Sequence, residues 1–197
     1  MKHVCVFCGS SSGQPEAYTN AARALGAHLA ATGLTLVYGG GKVGLMGTLA
    51  DACLSSGGEV IGVIPEHLVS REVAHQGVSK LIRVHSMHER KRRMVDLSDS
   101  FLALPGGIGT MDEFFEIFTW QQLGLHHKPI GILNVEGFFD PLLQLFDRMT
   151  ATGFLKAKNR NQLHVENDPA KLLEVLAAAS RLPSRINLSA SKSSVEL

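Results

Sequence analysis

The fold is decided by residues 3–13, which read HVCVFCGSSSG, an apolar run that leads directly into a turn of glycine and serine. Residues 15–31 follow this turn, are rich in Ala and Leu at helical spacing, and stop at Gly33. A short apolar run, a glycine turn and a helix-length segment predict a strand, a loop and a helix in that order. Because the rest of the chain repeats this unit, the unit defines the class of fold.

Further strands are predicted at residues 34–38, 59–64, 80–85, 101–104, 129–133 and 163–165, and further helices at residues 45–55, 87–97, 110–123, 139–151 and 169–178. Residues 66–77 have no clear period and are expected to form an irregular loop. Strands separated by helices form right-handed βαβ units, and runs that are apolar throughout belong in a parallel sheet covered on both faces. We therefore predict an α/β fold, a Rossmann-like three-layer sandwich in one domain (residues 1–180) with a polar, flexible tail (residues 181–197).

The composition excludes several classes of protein. Of 197 residues, 45% are hydrophobic and 19% are charged, which is not the balance of a disordered chain. The net charge of +1 predicts no nucleic-acid or membrane partner, and no apolar run approaches the roughly 18 residues of a membrane span. Three cysteines cannot form a disulfide framework in a chain of this length. We expect a cytoplasmic protein.

Glycine-rich turns follow three of the predicted strands, at residues 9–13, 39–44 and 106–109. Such a turn lets a ligand approach the backbone, and the helix behind it offers unpaired N–H groups to a phosphate. One turn of this kind has a structural explanation as often as a functional one, but three at one sheet edge predict a nucleotide or sugar-phosphate ligand. The candidate phosphate-binding residues in the first two turns are Gly9, Ser10, Gly39, Gly40, Gly41 and Gly44.

Two common nucleotide motifs do not fit these turns. Gly39-x-Gly41-x-x-Gly44 matches the dinucleotide fingerprint in form, but Glu59 begins the next strand and so lies at the wrong edge of the sheet to bind a ribose. Lys42 is followed by Val43 and not by Ser or Thr, which excludes a Walker A loop. The pattern therefore argues against NAD(P) and against a P-loop NTPase.

Charged residues cluster in two segments, MHERK at residues 87–91 and PGGIGTMDE at residues 105–113. Glu113 is expected in the first turn of its helix, where the helix dipole favours an ionised carboxylate that could act as a general base. Helix capping explains Glu113 equally well, and a solvated basic face is the usual explanation of a run such as residues 90–93. Arg90 is nevertheless a candidate for gripping an anion, since arginine binds phosphate through paired N–H groups.

These residues carry a resemblance to a known family. Pro105-Gly106-Gly107-x-Gly109-Thr110-x-x-Glu113, preceded by Arg90-Lys91, resembles the signature of the Lonely Guy (LOG) proteins, which are cytokinin riboside 5′-monophosphate phosphoribohydrolases. Further blocks in family order lie at residues 8–11, 38–47, 119–124, 128–129 and 134–139, so the resemblance covers nearly the whole chain. Ile108 stands where plant members usually have Tyr.

The resemblance implies hydrolysis of the N-glycosidic bond of an N6-modified adenosine 5′-monophosphate, and of AMP as well, to the free base and ribose 5-phosphate. It implies Arg90 and Glu113 as the catalytic pair. It implies a homodimer or a larger homo-oligomer and no metal or organic cofactor. The substrate-binding residues that it implies are Glu72, Arg90, Lys91, Gly107, Ile108, Gly109, Thr110, Met111, Asp112, Glu113 and Thr119.

Two other functions remain open at this level. A non-catalytic nucleotide or molybdenum-cofactor carrier would have the same fold and glycine turns, but it would not need a carboxylate facing the ribose. A nucleosidase that chiefly uses AMP would share the whole motif, because selectivity for the N6 substituent depends on the shape of the pocket.

Cys5-x-x-Cys8 lies mostly inside a strand, which favours packing over redox chemistry. His85-x-x-His88 and His126-His127 have no third partner at a metal-ligand spacing, which argues against a metal site.

Overall fold

A computed structural model describes residues 1–69 and 73–181 of the chain. The strands are β1 (His3–Phe7), β2 (Thr35–Tyr38), β3 (Val60–Pro65), β4 (Lys80–Val84), β5 (Ser100–Ala103), β6 (Ile130–Leu133) and β7 (Leu163–Glu166). The helices are α1 (Ala17–Ala31), α2 (Gly44–Ser55), α3 (Met87–Leu97), α4 (Ile108–Gln122), α5 (Asp140–Ala151), α6 (Ala157–Arg160) and α7 (Pro169–Arg181). Short 3-10 helices lie at Glu66–Leu68 and Val135–Gly137.

All seven strands form one parallel sheet in the order β4-β3-β2-β1-β5-β6-β7. Alternation along β1 divides the core between the two faces of the sheet, since successive side chains point to opposite sides. Val4 and Val6 pack with α1, α2 and α7, whereas Cys5 and Phe7 pack with α3, α4 and α5. The sheet is therefore covered on both faces, and the predicted α/β sandwich is confirmed.

The strand order changes direction at β1, which lies between β2 and β5. The connections leave this point toward opposite edges of the sheet, so the loops after β1 and β5 diverge and leave a crevice at the carboxyl ends of the strands. The two loops touch at their base, where Gly9 N donates to Pro105 O over 3.1 Å. Ligands of open α/β sheets bind at such a switch point.

Several element bounds differ from the sequence predictions. Helix α4 begins at Ile108 and not at residue 110, because Gly107 has an extended backbone and serves as its N-cap. Helix α6 and the two 3-10 helices were not predicted, since segments of three or four residues carry too few positions to show a period. Helix α7 extends to Arg181, and residues 182–197 of the predicted tail lie outside the described residues. Within residues 1–69 and 73–181, no helix is long and apolar enough to cross a membrane.

Candidate functional site

Two cavities open beside the switch point, and residues of both the β1 loop and the β5 loop line each of them. The first, which we call the charged cavity, has a volume of about 260 Å³. The second, which we call the aromatic cavity, has a volume of about 270 Å³. Both are lined by Gly9, Ser10 and Gly107. The charged cavity is further lined by Cys8, Met46, Leu68, Met87, Arg90, Ile108, Gly109, Thr110, Asp112 and Glu113.

Arg90 reaches the charged cavity from the first turn of α3 and is 4% exposed. Its Nε donates to the backbone oxygen of Val63 over 3.1 Å, and its Nη2 donates to that of Gly39 over 2.9 Å. Val63 lies within β3 and Gly39 directly follows the neighbouring strand β2, so the sheet itself fixes the plane of the guanidinium group. A buried charge that is held in this way is preorganised for a ligand.

Gly39 is the residue that makes room for Arg90. A Cβ atom at this position would collide with Nη2 of Arg90 and would lie 3.1 Å from the Met46 sulfur. Any larger residue would therefore displace the guanidinium group from the two carbonyl groups that hold it. Residue 39 therefore has to be glycine because of the side chain of Arg90, which is 51 residues away in the sequence.

The start of α3 is fixed by local hydrogen bonds. Ser86 is the N-cap and accepts a hydrogen bond from Glu89 N over 3.1 Å, while Glu89 accepts one from His85 N over 2.8 Å. This reciprocal capping satisfies backbone donors that the helix cannot pair internally. Because Arg90 comes directly after Glu89, the cap also sets the direction in which its side chain leaves the helix.

Glu113 lines the charged cavity from α4 and is 9% exposed. The expectation that it lies in the first turn of its helix was wrong: α4 begins two residues earlier than predicted, and its first turn contains no acidic residue. Burial among the helices, and not the helix N-terminus, therefore defines the surroundings of this carboxylate. The unpaired N–H groups of the first turn belong instead to Ile108, Gly109 and Thr110, which line the same cavity.

Cys8 directly follows β1, lines the charged cavity and was not among the predicted site residues. Burial raises the pKa of its thiol well above the usual value, the Glu113 carboxylate raises it further, and the Arg90 guanidinium lowers it. Both charges therefore act on one sulfur atom. The thiol stays protonated at neutral pH and is a packing group of the site, not a nucleophile.

Lys91 was predicted to bind substrate, but among the described residues it does not line either cavity. Its Nζ atom lies 3.2 Å from Asp112 Oδ2 and 3.2 Å from Glu116 Oε1, and the side chain is 12% exposed. Burial alone would lower the pKa of Lys91, but the hydrogen bonds and charges of the two carboxylates outweigh it and raise the pKa. The ammonium group is thus already paired.

The candidate phosphate-binding residues of the first two turns separate into two groups. Gly9 and Ser10 line both cavities. Gly39, Gly40 and Gly41 are buried, and Gly44 packs against the backbone of Ser10 with a φ of +62°, a conformation that side chains rarely adopt. None of this second group lines either cavity. The structure gives these glycines packing roles, and their part in phosphate binding stays a prediction.

Three further predicted residues lie apart from the charged cavity or outside the described chain. Met111 packs against the core beneath α4. Thr119 is exposed on the same helix, three turns from its start. Glu72 lies outside the described residues. Their roles in substrate binding stay predictions.

The aromatic cavity is a feature that sequence reasoning missed. The rings of Tyr18 on α1 and Phe138 form its wall and meet edge to face, with 5.7 Å between their centroids. Asn134 fixes the segment before α5: its side-chain oxygen accepts from Phe139 N over 2.8 Å, and its amide donates to Asp140 over 2.7 Å. Tyr18 and Phe138 are 120 residues apart, so no local pattern could have paired them.

Within the part of the chain that the structure describes, no group of three or more His, Cys, Asp or Glu side chains is placed to hold a metal ion. His126, one of the histidines considered as a ligand, is buried and bonds through Nε2 to Ile117 O over 2.8 Å.

Comparisons with known proteins find a matching family model and relatives that are named as hydrolases. A family model described as "Possible lysine decarboxylase" matches residues 46–176. The chain is 52% identical over 157 residues to a probable cytokinin riboside 5′-monophosphate phosphoribohydrolase of Oryza sativa subsp. japonica, covering 80% of this chain and 70% of that protein. It is 46% identical over 183 residues to a cytokinin riboside 5′-monophosphate phosphoribohydrolase of Rhodococcoides fascians, covering 92% and 90% respectively.

Solved structures with the same fold are more distant in sequence. The molybdenum cofactor carrier protein of Chlamydomonas reinhardtii superposes with a TM-score of 0.68 at 20% identity, over 90% of this chain and 97% of that one. The molybdenum cofactor binding protein of Rippkaea orientalis gives 0.67 at 22% identity, over 90% and 97%. At this level of identity the likeness establishes the fold alone.

Proposed function

This chain belongs to the Lonely Guy (LOG) family of cytokinin riboside 5′-monophosphate phosphoribohydrolases, and on that premise we propose that Arg90 and Glu113 carry out its reaction in the charged cavity. The chain is an N-glycosidic hydrolase. Water replaces the base at C1′ of an N6-modified adenosine 5′-monophosphate, which gives the free base and ribose 5-phosphate. Although the family model is described as a possible lysine decarboxylase, these close relatives are named as hydrolases.

The observation that carries the proposal is the convergence of a buried arginine and a buried carboxylate on one cavity. When the C1′–N9 bond breaks, its electron pair leaves with the base, which takes up a proton to become the free base, and positive charge develops on the ribose. The Glu113 carboxylate stabilises that charge and takes a proton from the attacking water, whose oxygen forms the new bond to C1′. Arg90 is always charged, so it acts by orientation and electrostatics and not by proton transfer.

The 5′-phosphate has a natural position at the start of α4. Ile108, Gly109 and Thr110 form the first turn of α4 and line the cavity that Arg90 and Glu113 share, and the N–H groups of a first helical turn are suited to bind phosphate. Gly9 and Ser10 close the same space from the β1 loop. Phosphate bound there is remote from the bond that breaks, and its binding energy holds the ribose in place for the reaction. We propose that the phosphate is required and that AMP is also a substrate.

The test is chromatographic measurement of free base released from N6-isopentenyladenosine 5′-monophosphate. Glu113→Gln is expected to lower kcat by at least about a hundredfold, because the amide can neither take a proton nor stabilise the cation. Glu174→Gln, an exposed carboxylate on α7, is the matched control and is expected to keep wild-type activity. The riboside without phosphate and AMP itself complete the series.

Each outcome distinguishes between functions. Comparable turnover of the riboside would contradict the requirement for phosphate. Tight nucleotide binding without base release from the wild type would favour a carrier, the function named for the structural neighbours. Base release that survives in Glu113→Gln would keep the hydrolase and contradict the role of Glu113.

We also propose that the chain forms a homodimer through α4. Ile108, Phe115 and Leu123 are 86%, 37% and 68% exposed, and their spacing places them on one face of the helix. Thr119 lies on the same face, between Phe115 and Leu123. A second copy that covered this stripe would close the rim of the charged cavity at Ile108 and would bury Thr119, which supports a role for Thr119 at an interface.

A further inference from the structure

Lys91 joins the two helices that carry the proposed catalytic pair. It follows Arg90 on α3, but its ammonium group turns toward α4 and lies 3.2 Å from both Asp112 Oδ2 and Glu116 Oε1. Its side chain is 12% exposed, and that of Glu116 is 23% exposed. Asp112 is 57% exposed, so the pair with Glu116 is the one that is mostly withdrawn from solvent and that water and salt screen less.

The two carboxylates that Lys91 contacts restrain both the position and the rotation of α4. Asp112 and Glu116 are four residues apart, so they lie one above the other on consecutive turns of the helix. Phe114, Ile117 and Phe118 already anchor α4 in the core, and contact with two of its turns restrains small rotations and shifts more than contact with one turn would. Glu113 comes directly after Asp112, so its carboxylate follows any such movement of the helix.

The same contacts speak against a phosphate ligand. A phosphate bound by Lys91 would have to displace two carboxylates that already lie within 3.2 Å of the ammonium group. Asp112 itself lines the charged cavity, and its negative charge would stand between Lys91 and an anion there. The residues of the first turn of α4 line the same cavity, and the N–H groups of a first helical turn have no partner within the helix.

We propose that Lys91 is a positioning residue, which sets Glu113 relative to Arg90 through Asp112 and Glu116 and does not bind the phosphate of the substrate. The proposal rests on the proposed function, because it assigns the role of Lys91 in that same reaction. It predicts that loss of the ammonium group lowers the rate of the chemical step and leaves the affinity for the phosphate unchanged.

The experiment compares Lys91→Met with Arg92→Met by steady-state kinetics and by calorimetric titration with ribose 5-phosphate. Lys91→Met is expected to lower kcat by roughly ten- to a hundredfold, the size of effect that a displacement of about 1 Å produces. KM for the nucleotide and Kd for ribose 5-phosphate are expected to stay within about twofold of the wild type. Arg92→Met removes an exposed ion pair on the same helix and is expected to change neither value.

A rise of tenfold or more in KM and Kd with little change in kcat would overturn the proposal and make Lys91 a phosphate ligand.

If Lys91→Met does not fold, Glu116→Gln takes its place, because it weakens the contact of Lys91 with the second turn of α4 and leaves Lys91 present. Its expected result is a lower kcat at unchanged Kd, and an unchanged kcat would count against the proposal. If both variants fold, the kcat loss of the double variant is expected to be smaller than the product of the single losses. Independent losses would show that the two residues do not act together.

The proposal and the proposed function fail in different ways. If the wild type releases no base, the hydrolase itself is contradicted. If the wild type is active and Lys91→Met loses affinity for ribose 5-phosphate, only the positioning role is contradicted. The titration with ribose 5-phosphate needs no turnover, so it reports on Lys91 separately from the chemical step.

Discussion

Arg90 and Lys91 are neighbours in the sequence but have different surroundings in the fold. Successive residues of a helix point about 100° apart, and here one side chain enters the sheet edge while the other crosses to α4. Both were predicted from the sequence to bind substrate, and Arg90 was also predicted to be catalytic. Their separation into a cavity residue and a residue between helices depends on where β3 and α4 lie, which a run of four basic residues does not encode.

The first prediction at this scale concerns Gly39. Gly39→Ala would place a Cβ atom against Nη2 of Arg90, so we expect kcat to fall by roughly ten- to a hundredfold as the guanidinium group moves. The measurement is kcat for the nucleotide together with the midpoint of thermal unfolding. A kcat equal to that of the wild type, at an unchanged midpoint, would contradict the role of Gly39 as the space that holds Arg90.

Among the elements of the fold, helix α4 contributes the largest number of residues to the charged cavity. Its N-cap is Gly107, its first turn offers N–H groups to the cavity, and its second turn carries Glu113. Farther along, Phe114, Ile117 and Phe118 anchor it in the core at 1–2% exposure, while Phe115 and Thr119 face outward. One helix therefore combines the proposed phosphate site, the proposed base, a core face and a proposed interface.

A second prediction follows from the end of this helix. His126 Nδ1 accepts from Lys128 N over 3.1 Å, so Nε2 carries the proton that is donated to Ile117 O. Burial lowers the pKa of His126 below its usual value. Because the pKa of His126 is lower in the folded than in the unfolded protein, its neutral form contributes to the free energy of unfolding. This contribution is present above about pH 6.5 and is lost as the pH falls through the folded pKa.

The measurement is the free energy of unfolding by urea at pH 7.5 and at pH 5. We expect the wild type to lose stability at pH 5 and His126→Gln to lose less of it, since the glutamine does not titrate. His127→Gln is the matched control, because His127 is exposed and is expected to keep the wild-type dependence. His164, whose pKa is also lowered by burial, accounts for part of the loss that remains. Equal dependence in the two variants would contradict the role of His126.

At the scale of the whole molecule, the strand order assembles the site. Gly39 follows β2, Arg90 lies in the first turn of α3, and Glu113 belongs to the helix after β5. These segments meet because β2, β1 and β5 are consecutive strands of the sheet, although β5 follows β4 in the chain. The same order brings Tyr18 and Phe138 together at the aromatic cavity.

The third prediction concerns the assembly of two chains. Leu123→Asp would place a charge in the exposed apolar stripe of α4, and burying that charge in an interface is unfavourable. We expect the wild type to have the mass of a dimer, or of a larger homo-oligomer, in light scattering and the variant to have that of a monomer. Glu174→Asp on α7 is the control and is expected to leave the mass unchanged. A wild type that is monomeric at micromolar concentration would contradict the proposed interface.

The sequence alone determined the units of the fold and the chemistry present in them. Apolar runs, glycine turns and helical spacing are local patterns, so they identified the alternation of strands and helices and the motif that ends in Glu113. They misplaced the start of α4, because one extended glycine at Gly107 decided it. They also gave no indication of the aromatic cavity.

Only the tertiary structure decided which of these groups meet. Arg90 bonds to a carbonyl group 51 residues away, and Lys91 pairs with a carboxylate 21 residues away. A periodic pattern reports the neighbours of a residue within its own element, whereas these contacts depend on strand order and on the crossing of two helices. The sequence therefore predicted an arginine and a carboxylate in one site, and the fold decided that Arg90 is held by the sheet while Lys91 is held by α4.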